Sequence, residues 1–177
     1  MITETSNKNE LLTAIGEEVS QLQIQFSSLD DNRINSVPYE DSWTAGQLLC
    51  HVTKSTNGMA KALRMDSKPA ERDPGERIDG LKKAFLDFST KMKSPDFIVP
   101  EEGLYEKQAT IEELNRSFRL LKKNSNNTNL TDLVEGLPLG TITKLEILHF
   151  VLYHTQRHLH QLKKICGAFI KEHFLLL

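Results

Sequence analysis

Leu145-Glu146-Ile147-Leu148-His149-Phe150-Val151-Leu152-Tyr153-His154-Thr155-Gln156-Arg157-His158-Leu159-His160-Gln161-Leu162 is the stretch whose reading decides the fold. Leu145, Leu148, Leu152, Leu159 and Leu162 recur at three- and four-residue spacing, which gathers them on one face of an α-helix. Cys166 continues that face. Just upstream, Thr143 and Glu146 have the spacing of a capping box, a signature of a helix start. Gly167 is only a weak breaker. The pattern therefore predicts a helix from the Thr143 cap to at least Cys166, and on to about residue 172. A helix this long with one apolar face needs other helices to cover it.

Four further stretches carry the same period, and none alternates with the period of a strand. The first shows Leu12, Ile15, Val19, Leu22, Phe26 and Leu29. The second opens on Ser42-Trp43-Thr44-Ala45-Gly46-Gln47, where Thr44 and Gln47 form another capping box and Trp43 is placed to staple against Leu48. Its stripe is Ala45, Leu48, Val52, Met59 and Leu63. The third follows Pro74-Gly75 and runs through Ile78, Leu81, Phe85, Phe88 and Met92 to Pro95. The fourth starts near Thr110, with Glu113 three residues on, and carries Ile111, Leu114, Phe118 and Leu121. The Asn-rich run 124–129 and a loop through Gly136, Pro138 and Gly140 precede the last helix. The economical fold is all-α, an antiparallel four-helix bundle of the first, second, fourth and fifth helices. The third helix is an extra piece between the second and third bundle helices.

The 177 residues fit one domain, 1–177, with a full core. A formal charge of −2 with 26% charged residues argues against nucleic acid, which needs a basic face. The pairs Lys82-Lys83, Lys122-Lys123 and Lys163-Lys164 are too scattered to form one. No apolar run approaches the ~20 residues that cross a bilayer, and the polar first residues lack a signal-peptide core. A cytoplasmic protein is the expectation. Cys50 and Cys166 then read as reduced thiols.

The six histidines separate by helical face. His154 and His158 lie at the edge of the apolar face of the last helix, on a line with Ile147, Val151 and Ile165. His149 and His160 fall opposite, among Glu146, Tyr153, Gln156 and Lys163, and read as solvated. His173 has no clear environment. Four residues apart, His154 and His158 stand one turn above the other and can reach one ion at roughly 2.0–2.1 Å. On the second helix, His51 flanks the buried stripe on a line with the small residues Thr44, Ser55, Gly58 and Ala62. Two readings stand on spacing alone. The three imidazoles hold one divalent metal with positions open for water, or they are packing residues whose spacing is accidental. No glycine-rich phosphate loop, Cys-x-x-Cys or Gly-x-Ser-x-Gly motif competes. Gln161 shares the line of the two histidines, as a residue that orients one of them or as a polar residue bonded across the bundle. Arg157 leans to the polar face, where an ion pair is the default and anion binding the alternative. Trp43 reads as a helix staple rather than a substrate platform.

Ser42-Trp43-Thr44-Ala45-Gly46-Gln47-Leu48-Leu49-Cys50-His51 and Tyr153-His154-Thr155-Gln156-Arg157-His158-Leu159-His160-Gln161-Leu162 resemble the DinB-like superfamily of four-helix-bundle proteins. The Gly140-Thr141-Ile142-Thr143 entry to the last helix is also similar, and the resemblance spans about residues 8–166. It implies a nickel- or zinc-type site with His51, His154 and His158 as ligands and water completing the shell. Members with known activity include thiol transferases using bacillithiol, mycothiol or glutathione, and isomerases of thiol adducts. Others have been described as metal-dependent hydrolases. The resemblance thus implies a small-molecule substrate and, for some members, a low-molecular-weight thiol as cosubstrate. A non-catalytic binding or stress-response bundle is the alternative. The extra segment 68–107 departs from the simplest members, so substrate does not carry over. Phe174-Leu175-Leu176-Leu177 adds one expectation: apolar residues that water would leave uncovered predict a homodimer.

Overall fold

The computed structural model describes the backbone of residues 4–175 and the side chains of residues 8–170. Among the described residues it has six helices and a small sheet. In chain order these are α1 (Glu4–Ser27), α2 (Asp31–Ile34), α3 (Ala45–Ala62), β1 (Lys68–Pro69), α4 (Ile78–Leu86), α5 (Lys107–Asn126), β2 (Asp132–Leu137), β3 (Gly140–Thr143) and α6 (Lys144–Leu175). A 3-10 turn, Asp96–Ile98, interrupts the connection between α4 and α5. Helices α3 and α1 each pack on both α5 and α6, so the four long helices enclose one core.

The apolar stripes are what they enclose. Ile15, Leu22 and Phe26 of α1, Leu48 and Val52 of α3, Leu114 and Leu121 of α5, and Ile147, Leu148 and Leu162 of α6 are fully buried. Each such side chain contributes about 1.5–3 kcal/mol on leaving water. Both capping boxes form. The Thr44 hydroxyl accepts from the Gln47 amide at 3.1 Å while the Gln47 side chain accepts from the Thr44 amide at 3.0 Å. Thr143 and Glu146 do the same at 3.1 and 2.9 Å.

Three expectations need correction. The chain is not all-α: β1, β2 and β3 form an antiparallel sheet in that order. Val134 faces Ile142 across β2 and β3, and both are fully buried. The strands are short and β2 is broken by a bulge between Val134 and Leu137, so period-two alternation never accumulates. Gly136 and Gly140, at φ 76° and 77°, permit the bulge and the tight return. Pro69 sits in the edge strand β1, where a missing amide donor is tolerated.

Second, α4 stops at Leu86 instead of running to Met92. Asp87 turns extended, and its carboxylate accepts from the Ser89 amide at 3.0 Å and the Thr90 hydroxyl at 2.8 Å. This local turn competes with the next helical turn, and Phe88 and Met92 are left exposed. Third, α5 begins at Lys107, earlier than Thr110, because the Glu106 carboxylate caps the Gln108 and Ala109 amides at 3.0 and 2.6 Å. The helix continues to Asn126, where Asn124 donates to the Ala60 carbonyl at 2.7 Å and so ties the run to α3.

Segment 68–107 covers the outer side of α6. Glu146 is the pivot. It is fully buried, and its carboxylate accepts hydrogen bonds from Arg72 Nη1 and Nη2 at 2.7 Å each, from the Arg77 amide at 2.8 Å and from the Thr143 amide at 2.9 Å. Burial alone would raise its pKa, but Arg72 and the two amides outweigh burial and hold it below the usual carboxylate range. Tyr153 is buried as well and His149 is half-buried. The N-terminal part of the face of α6 expected to meet solvent, from Glu146 to Tyr153, is therefore covered, while His160 and Lys163 further along it are exposed. No helix among the described residues is long and apolar enough to cross a membrane.

Candidate metal centre

The capping box fixes where α3 begins, and the helix then carries His51 inward two turns later. The start of α3 approaches the α5 entry closely: a Cβ on Gly46 would lie 2.7 Å from the Tyr105 ring. His154 and His158 come from the middle of α6. All three imidazoles are buried, at 2%, 5% and 7% exposure, and one donor nitrogen from each lies within 4.8 Å of the other two. His51 Nε2 is 3.1 Å from His154 Nε2, and His158 Nε2 is 3.2 Å from the same atom.

Hydrogen bonds on the far side of two rings set their tautomers. His51 Nδ1 lies 3.0 Å from the Ile98 carbonyl and His158 Nδ1 lies 3.0 Å from Gln161 Oε1. Both oxygens only accept, so each Nδ1 carries the proton and each Nε2 presents a lone pair. These two lone pairs converge on His154 Nε2. A neutral His154 has at most one proton to offer there, too few to satisfy both partners. Extra protons are disfavoured. Burial first, and His158, His51 and Arg157 after it, hold the His154 pKa well below its ordinary value. Burial and the neighbouring His51 take His158 down to about 3. Burial lowers His51 too, against the opposing pull of the Ile98 carbonyl.

A cation resolves this arrangement, and the residues fit one. Two nitrogens each about 2.0–2.1 Å from an ion, at an angle of roughly 100°, are about 3.1–3.2 Å apart. Neutral imidazoles suit zinc, nickel or copper-type ions. The carbonyl of Ile98 and the amide of Gln161 are the outer partners that metal-binding histidines require. The model of the DinB superfamily matches residues 16–162.

This chain belongs to the DinB superfamily.

Comparison with curated proteins and with solved structures finds no match. In this DinB-superfamily chain the histidines sit on the floor of a cleft of about 1030 Å3. Trp43 lies against His51, with ring centroids 5.0 Å apart, and Phe150 against His154 at 5.2 Å. Phe85, from the inserted α4, approaches His154 at 6.0 Å. The insert thus reaches the centre twice, through Phe85 and through the Ile98 carbonyl.

Other sequence candidates fall elsewhere. Cys50 is half-buried and outside the converging set. It faces Tyr105, whose hydroxyl is pushed up by burial and then by Cys50. His160 is exposed and stacks flat on Phe88 at 4.0 Å. Among the described residues Arg157 makes no ion pair of the expected kind. Its guanidinium donates to the carbonyls of Phe85 at 3.2 Å, Asp87 at 2.9 Å, and Thr90, which closes the open end of α4. Sequence reasoning missed Ile98, Phe85 and the Arg72–Glu146 pair. Ile98 had one signal: Pro95 and Pro100 bracket it, and with Val99 held extended before Pro100 the segment has room for only the single 3-10 turn that ends at Ile98.

Proposed function

We propose that the chain is a metal-dependent enzyme in which His51, His154 and His158 hold one divalent transition metal, nickel or zinc. The observation that carries this reading is the meeting of proton-free Nε2 atoms on one point, with their Nδ1 protons held by Ile98 and Gln161. When bound, such an ion lowers the pKa of a coordinated thiol or water and so supplies a nucleophile at neutral pH. The chain's own residues do the rest. Ile98 and Gln161 hold His51 and His158 in one tautomer and orientation. Trp43, Phe85 and Phe150 keep bulk water from the imidazoles. The cleft binds the electrophile.

Thiol transfer is the better supported of the two chemistries. Among the described residues lining the cleft, Glu40 and Asp41 are the only carboxylates, and the hydrogen bonds of the three imidazoles involve neither. Both nucleophiles must lose a proton, but a thiol starts about seven pKa units below water, so a bound ion has far less to do to ionise it at neutral pH. The test is a conjugation screen: low-molecular-weight thiols with an aryl halide electrophile, on metal-loaded and metal-stripped protein. Turnover that follows metal content and disappears in His154→Ala supports the assignment. Equal turnover in loaded and stripped protein overturns the metal dependence, and no rate above the protein-free background in either leaves a non-catalytic binding protein as the reading.

A further inference from the structure

The cleft carries a charge opposite to that of the chain. Lys54, Lys61, Lys91, Lys93, Arg157 and Lys164 line it against two carboxylates, Glu40 and Asp41, although the formal net charge of the protein is −2. Three of these cations are already engaged. Arg157 is held by backbone carbonyls. Lys54 donates to the Val99 carbonyl at 3.0 Å and pairs with Glu101 at 3.2 Å. Lys164 lies 4.9 Å over the Tyr39 ring. The other three, Lys61, Lys91 and Lys93, are exposed, and among the described residues no carboxylate pairs with them.

The same wall is apolar. Phe88, Met92 and Phe97 line the cleft and remain 47%, 44% and 64% exposed. They alternate along the chain with Lys91 and Lys93, so one segment offers both flat apolar surface and positive charge. Trp43, Phe85 and Phe150 continue the apolar lining down to the histidines. A concave wall of one sign focuses field and draws in the opposite charge. A cavity of this size accepts a molecule of drug-like dimensions.

We infer that the cleft binds a small organic anion with an aromatic body, its ring against the Phe88–Phe97 wall and its carboxylate or sulfonate drawn by the unpaired lysines of the lining, Lys91 and Lys93 on that segment and Lys61 on α3. That such a molecule is the substrate rests on the metal-dependent reading above; that it binds does not. Two dyes of nearly the same shape separate charge from apolar area: anilinonaphthalenesulfonate and its uncharged relative phenylnaphthylamine. Titrated by fluorescence into the full chain, the sulfonate should bind about tenfold more tightly at low ionic strength, what one or two lysines at contact distance supply. The preference should shrink as salt is added, and phenylbutyrate should displace the dye better than phenylbutanol. Replacing the three exposed lysines together, Lys61→Gln, Lys91→Gln and Lys93→Gln, should bring the sulfonate down to the affinity of the neutral dye, whose own binding stays unchanged. Equal affinities in the wild type, or a preference that survives the triple variant, overturns the inference. Elemental analysis of the same samples keeps the two readings apart. Protein without metal that still prefers the sulfonate refutes the metal centre and supports the cleft assignment. Metallated protein without the preference does the reverse.

Discussion

Glu146→Gln removes the charge from the buried carboxylate that joins the inserted segment to the start of α6. The wild-type side chain accepts four hydrogen bonds of 2.7–2.9 Å, two from the Arg72 guanidinium and two from backbone amides. A glutamine oxygen can keep two of them, but its NH2 group then faces donors. Each hydrogen bond to a charged group is worth about 1.5–3 kcal/mol, so two lost bonds set an upper range of roughly 3–6 kcal/mol. The Arg72 side chain is 23% exposed and recovers part of its loss in water, which leaves about 3 kcal/mol. Urea unfolding should show this as a lower midpoint at an unchanged slope. The pH dependence gives a second signature. Because the folded-state pKa of Glu146 is depressed, its contribution is complete above the unfolded value of about 4.3 and is lost as pH falls through the folded value. The wild type should lose its advantage over Glu146→Gln across that acidic window. A loss below about 0.5 kcal/mol, the scale of an ordinary surface change, or parallel pH profiles, would refute the reasoning.

Gly46→Ala drives a Cβ to 2.7 Å from the Tyr105 ring and should destabilise by about 1–3 kcal/mol, the usual cost of overpacking; an unchanged melting temperature would show that the ring moves freely. The four-helix core is large enough to stand alone, so metal removal by a chelator should leave the helical circular dichroism signal in place. A collapse to coil would make the centre structural and end the catalytic proposal. A homodimer remains our proposal for the assembly, on the strength of Phe174-Leu175-Leu176-Leu177, which lie outside the residues whose side chains the structure describes. Light scattering should give twice the chain mass at micromolar concentration, and deleting 174–177 should halve it. A monomeric wild type would refute the proposal.

The long helices were legible in the sequence because their signals are local. Leu12 to Leu29 repeats one spacing over nearly five turns, and two capping boxes mark helix starts to within a residue. Helical geometry maps residue number onto face, so it put His154 and His158 together at a core edge, but on spacing alone their meeting with His51 stayed one of two readings, and the family resemblance is what implied the set. What failed depended on contacts distant in sequence. Glu146 reads as a surface acid until Arg72, 74 residues away, covers it. The sheet was hidden because β1 holds only Lys68 and Pro69 and pairs with residues 132–133. The early end of α4 is a competition between one more helical turn and the Asp87 side chain, which periodicity cannot weigh.

The central claim is that three buried imidazoles hold one ion, and elemental analysis of untagged protein measures that directly. The expected content is about one divalent transition metal per chain, with most of it lost in each of His51→Ala, His154→Ala and His158→Ala. His149→Ala and His160→Ala should keep the wild-type content, since neither side chain belongs to the converging set. Metal-free wild-type protein, or equal loss from the His149 and His160 variants, would contradict the account.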